Sequence, residues 1–265
     1  MKHAFIYIII STMIIALFSC EKVIDFDLED AEQKIVIEAI IHDSLGDNFV
    51  ILSKSRPFND NSPIEMISDA NVQVLDDQNN SHTLYEVLPG YYTDSTLQGV
   101  AYRTYHLAVT INGTTYSGSS YMYPRVEIDS LHQEQIEKLF WKDKNIPEYQ
   151  VFCHFTDPVN VENFYRIKAY VDGKQESGVL TFPDEFFDGL STYFPIFESE
   201  FFEGDSVYVE LLSIDEINHR YFNAIYNAQE GQVPGNPTSN INHKDVVGYF
   251  GAYAKSEKSM IIVPE

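Results

Sequence analysis

Across residues 104–111 the chain alternates strictly, with Tyr105, Leu107, Val109 and Ile111 on one side and Thr104, His106, Ala108 and Thr110 on the other. A period of two is the pattern of a half-buried strand and does not suit a helix. Asn112-Gly113 follows at once, and that pair supplies the two positive-φ positions of a type I′ hairpin turn. A second such pair, Asp172-Gly173, closes "FYRIKAYV" (164–171), in which Tyr165, Ile167, Ala169 and Val171 share a face. Strands that end in two-residue turns commit the chain to antiparallel sheet.

The rest of the pattern agrees. Ile35, Ile37, Ala39 and Ile41 alternate, and "NFVILSK" (48–54), "NVQVL" (71–75) and "HTLYEV" (82–87) read as further strands. Gly46, Pro57, Pro63, Pro89-Gly90 and Gly99 punctuate them at the short spacing of a sandwich. The expected class is all-β: an immunoglobulin-like sandwich of roughly seven strands over 34–124, then a second antiparallel β domain over 125–265. Pro124 marks the boundary. In the second half "EYQVFCHF" (148–155) and "DSVYVELLSI" (205–214) are strand-like, whereas 126–140 fits strand or helix. One helix is expected near 214–229, with Ser213 as N-cap, Glu216 completing a capping box, and Ile214, Ile217, Tyr221, Ala224 and Ile225 as its apolar stripe. Gly231 lies shortly past its end.

The N-terminus carries a different signal. Lys2 precedes a 15-residue apolar run, 4–18, too short to span ~30 Å of hydrocarbon as a helix. A positive start, a short apolar core and a small residue before a cysteine read as an export signal over 1–19. Leu17-Phe18-Ser19-Cys20 resembles a bacterial lipobox, which implies that Cys20 is lipidated and becomes the mature N-terminus. Residues 20–33 then read as an acidic tether, with six carboxylates in "EKVIDFDLEDAEQ" (21–33). A solvated chain of that length spans about 20 Å r.m.s.. With Cys20 acylated, Cys153 has no partner, and its place in a strand points to burial.

Forty Asp and Glu against 17 Lys and Arg give a net charge of −23, which excludes nucleic acid as a partner because phosphate binding rests on cations. No Gly-x-Ser-x-Gly, His-Glu-x-x-His, Cys-x-x-Cys or phosphate-binding glycine loop occurs, and the eight histidines lie scattered singly. No catalytic residue and no cofactor is therefore expected. The most unusual stretch, 181–205, interleaves eight aromatics with seven acids. Read as a plug, Phe186, Phe187, Phe194 and Phe197 close the end of a sandwich while the acids face water. Read as a partner or ligand surface, Phe186, Phe187, Phe201 and Phe202 anchor a contact, with Tyr249 and Phe250 near the C-terminus. No metal site is expected; Asp184, Glu185 and Asp188 are the acids from which a calcium cage would be built.

Four segments carry a resemblance: "FTDPVNVENFYRIKAYVDG" (155–173), "PDEFFDG" (183–189), "GDSVYVELLSID" (204–215) and "NPTSNINHKDVVGYFGAYAKS" (236–256). In that order they resemble the Bacteroidota lipoprotein family labelled domain of unknown function 4249, over essentially the whole chain from Cys20 to Val263. The glycine pair usual after Asn-Ile is replaced here by His243-Lys244-Asp245. The resemblance implies a lipid-anchored outer-membrane protein facing the cell surface, with no established activity. It implies an accessory or binding role beside a TonB-dependent receptor, which makes the membrane and that receptor the expected partners. A surface hydrolase, a calcium-assisted adhesin and a structural envelope lipoprotein are the alternatives.

Overall fold

The computed structural model describes residues 33–57, 60–136, 148–177, 180–196, 200–229 and 237–264. The segment expected to be an export signal, Cys20, the expected tether up to residue 32, Phe197, Gly231 and Asn236 lie outside the described residues.

Seven strands fill the first half: β1 (Ile35–His42), β2 (Phe49–Lys54), β3 (Asn71–Asp76), β4 (Ser81–Leu88), β5 (Tyr91–Thr93), β6 (Thr104–Ile111) and β7 (Thr114–Tyr121). The second half holds β8 (Ile128–Ile136), β9 (Glu148–Thr156), β10 (Phe164–Val171), β11 (Lys174–Ser177) and β12 (Thr181–Pro183). It continues with β13 (Ser191–Pro195), β14 (Phe201–Phe202), β15 (Ser206–Ile214), the helix α1 (Glu216–Gln229) and the long β16 (Val246–Ile261). The class is all-β, as the alternation requires, and the ambiguous segment after 126 is a strand over 128–136. Both hairpin turns form. Asn112 and Gly113 take φ of 49° and 82°, and Asp172 and Gly173 take 50° and 80°.

Twelve strands make one sheet in the order β11-β10-β15-β16-β1-β2-β5-β4-β3-β6-β7, with β12 beside β10, and β13-β9-β14 with β8 form a second sheet. β16 is the hinge of this arrangement. It pairs in parallel with β1, Ile35 to Val246 through His42 to Tyr253, and antiparallel with β15 on its other side. Its first half supplies Val246, Phe250, Ala252 and Ala254 to the core built on β1–β7, and Met260 packs on the core between β9, β10 and β15. The segment around Pro124 separates the two larger of three hydrophobic cores, yet Gln33–Glu265 forms one compact unit because β16 serves both.

The helix begins later than its sequence suggests, and the cap is a different residue. Ser213 is buried and still paired in β15, with Tyr165 on one side and Ala254 on the other, so the sheet holds it extended. Asp215 caps α1 instead: its Oδ1 accepts from the Asn218 backbone N–H at 2.8 Å. The expected stripe is buried in part: Ile214 is fully buried, and Tyr221 and Ile225 pack on a core with Ile40, Phe164, Leu212, Phe222 and Tyr253. Asn218 and Phe222 point inward, whereas Ile217 is 43% exposed. Asp215 draws Asn218 inward, since its carboxylate also accepts from the Asn218 side chain at 2.8 Å and from the Ser120 hydroxyl at 2.5 Å. The Arg166 guanidinium lies 3.8 Å over the Phe222 ring and completes the packing.

Candidate functional site

The short β12 pairs with β10, and β13 with β9, and this draws two distant loops together. The loop after β9 carries Asp157, and the loop after β12 carries Asp184 and Asp188. One carboxylate oxygen from each of the three lies within 4.8 Å of the others. Asp157 and Asp184 are 2% and 5% exposed, while Asp188 reaches solvent. Each is held by donors. Asp157 accepts from the Tyr165 hydroxyl and from the Gly189 N–H (2.9 Å). Asp184 accepts from the Asn163 N–H (2.9 Å), and Asp188 from the Asn160 N–H (2.8 Å). Burial, with the neighbouring Asp184 and Asp188 charges, raises the Asp157 carboxyl above its ordinary range. A cavity of about 230 Å³ lined by Asn160, Val161, Glu162, Asp184 and Asp188 opens beside them. These three carboxylates are the described residues that could hold a metal ion. The sequence named Asp184 and Asp188 but paired them with Glu185, which is exposed and outside the cluster. Asp157 was missed because only sheet pairing brings it near.

A larger cavity, about 510 Å³, lies between α1 and the chain that follows it. Ile217, Arg220 and Ala224 line one wall, Thr238, Ser239, Asn240 and Asn242 another, and Ser119 of β7 joins them. That volume is in the range of small-ligand sites. Asn240 shapes this groove by copying a strand. Its Oδ1 accepts from the Phe250 N–H at 2.9 Å, and its Nδ2 donates to the carbonyls of Phe250 (2.6 Å) and Ser119 (2.9 Å). One side chain thus ties β7 to β16. Gly118↔Ile241 forms an isolated bridge beside it. The Asn-Ile of the C-terminal segment is therefore first a structural clasp.

The aromatic candidates separate by burial. Phe201 and Phe250 are fully buried, so neither can anchor a partner, which corrects their place in the expected surface. Phe250 faces the first core and Phe201 the second. Phe187 and Phe194 are partly buried against the second core, with Phe194 stacked on Phe182 at 3.7 Å between centroids. Phe202 is half-buried, and Tyr249 packs edge-on to Phe222 at 4.8 Å. Phe186 alone of these seven is fully outward, at 89% exposure, which corrects its reading as a plug. The surplus of aromatics is thus mostly core.

Cys153 is fully buried in β9, and burial pushes its thiol up to about 12, so it stays protonated and unreactive at neutral pH. A charged network unforeseen from sequence lies across β10, β15 and β16. Glu210 sits 3.8 Å from Lys168 and 3.3 Å from Lys255, and Lys255 is also 2.9 Å from Asp47. Burial, then repulsion from Arg166, brings Lys168 down to about 8 despite Glu210. Burial, then Lys168 and Lys255, brings His42 down to about 4, so it is neutral at pH 7. The network's members satisfy one another across three strands and the β1–β2 loop.

No helix among the described residues is long and apolar enough to cross a membrane. No curated protein matches the chain. The profile of the family described as Domain of unknown function (DUF4249) matches residues 21–259, a range that includes the acid cluster and the Asn240 clasp. With nearly its whole length matched, this chain belongs to the DUF4249 family.

Proposed function

We propose that the protein is a lipid-anchored outer-membrane lipoprotein, held through Cys20 and facing the cell surface, that acts as a non-enzymatic binding subunit for a TonB-dependent uptake system. The observation that carries the binding role is the groove between α1 and residues 238–242. It combines an apolar wall (Ile217, Ala224) with a few polar groups (Arg220, Ser239, Asn242), the composition of a recognition site. Its polar wall is rigid because Asn240 is clamped to two strands. Anchoring is supported by Leu17-Phe18-Ser19-Cys20 and by a family match that starts at residue 21, directly after that cysteine.

The groove is tested by filling it. Ala224→Arg places a long side chain into the cavity from a partly exposed helix position and keeps a good helix former. Purification of the tagged full chain from native outer membranes should then recover at least tenfold less of the co-purifying receptor, with the melting temperature within about 2 °C of wild type. Undiminished receptor recovery with a folded variant would remove the groove from the account.

A further inference from the structure

We propose that Asp157, Asp184 and Asp188, with the Asn163 side-chain oxygen, form a calcium site that locks the loop after β9 onto the loop after β12. The first ground is charge. Three carboxylates converge, two of them buried, and among the described residues no Lys or Arg pairs with any of them. Buried carboxylates without a cation are costly, and hydrogen bonds from three backbone N–H groups and one hydroxyl supply no net positive charge.

The second ground is independent of the acids. Asn163 is 1% exposed, and its Oδ1 has no hydrogen-bond partner. Its backbone is joined to Asp184 in both directions: the Asn163 N–H donates to Asp184 Oδ2 (2.9 Å), and the Asp184 N–H donates to the Asn163 carbonyl (3.1 Å). Its Nδ2 donates to the Val161 carbonyl at 2.7 Å, and Val161 lines the same cavity as Asp184 and Asp188. Asn163 is thereby held between Asp184 and Val161, two residues that line the cavity, with its side-chain oxygen buried and unsatisfied. A buried amide oxygen with nothing to accept calls for a partner, and a cation provides one.

The chemistry selects the ion. All donors are oxygen, with no nitrogen or sulfur, which suits a hard cation over zinc or copper. Calcium–oxygen distances of about 2.3–2.6 Å place opposite ligands up to about 5 Å apart. The carboxylate oxygens lie within 4.8 Å of one another, a span one calcium ion can bridge. The cavity beside them leaves room for water to complete the shell. Phe186 stands between two of the proposed ligands at 89% exposure, so the ion would also fix the loop that displays it.

The test uses the full chain in detergent, stripped with EDTA and then titrated with calcium chloride, with melting temperature as the readout. At a hundredfold excess over the dissociation constant, calcium should raise the melting temperature by about 5–10 °C. Terbium should give tyrosine-sensitised emission, since Tyr165 is hydrogen-bonded to Asp157. Asp188→Asn is the main variant, because asparagine still accepts from the Asn160 N–H and the site is solvent-facing. It should melt with wild type in EDTA but need at least tenfold more calcium for the same shift. Asn163→Ala, which removes the neutral oxygen ligand together with the Nδ2 bond to Val161, should also weaken the calcium response. No shift up to 10-fold above about 1 mM calcium, the weak end for such sites, would overturn the proposal. So would a shift that magnesium matches and Asp188→Asn leaves unchanged, because screening of an acidic surface would then explain it.

Discussion

Gly248→Ala is expected to lower the melting temperature by at least about 6 °C and to do so in one cooperative step. Gly248 sits in β16 opposite Ile37, at φ +114°. A Cβ built there would lie 2.0 Å from the Ile37 carbonyl oxygen and 2.8 Å from its carbon. Both obstacles are backbone, so a side-chain rotation relieves neither. The strands must part where β1 and β16 pair, or the chain must leave its conformation, at a cost of about 3–5 kcal/mol. Gly113→Ala is the control. It shares a positive φ, 82°, but its Cβ would meet nothing within 4 Å, and about 1 kcal/mol is expected. Because β16 contributes to both cores, the loss should reach both at once. Calorimetry showing a two-step melt, with only one step moved by Gly248→Ala, would contradict the shared strand.

Phe201→Ala should cost about 3–5 kcal/mol, whereas Phe186→Ala should stay within about 0.5 kcal/mol of wild type. The two residues stand in the same aromatic–acid segment and look alike in sequence. Phe201 is fully buried in β14, paired with Tyr149 of β9, and its truncation opens a cavity in the second core. Phe186 is 89% exposed and supports nothing beneath it. Urea titrations of the two variants separate the roles. Equal midpoints would mean that the segment does not close the core.

The strands were legible because burial on one face writes itself as alternation. Tyr105, Leu107, Val109 and Ile111 are all buried, and His106 between them is exposed. The turns were legible because Asn-Gly and Asp-Gly fit positive φ without strain. What the pattern does not carry is long-range pairing. The parallel register of β1 with β16 joins residues about two hundred positions apart, and no local signal marks it. The same holds for the acid cluster: Asp157 meets Asp184 because β12 pairs with β10 and β13 with β9. Helix α1 shows a subtler failure. Ile217 and Ala224 fit an apolar stripe, yet Asn218, drawn inward by Asp215, is buried while they line the groove. A stripe drawn from hydrophobicity alone has no means of weighing that buried hydrogen bond. The Asn240 clasp carried a signal as the asparagine of the Asn-Ile segment, although its target strands were not deducible.

Tethering through Cys20 is the central claim about function, and the mature N-terminus tests it most directly. Mass spectrometry of the protein from native membranes should find a chain that begins at Cys20 and carries acyl groups. More than one chain is required, since a single myristoyl-length chain binds only marginally. Cys20→Ala should correspondingly leave the membrane fraction after a carbonate wash. An unmodified mature N-terminus, or a Cys20→Ala protein that remains fully membrane-bound, would contradict the account.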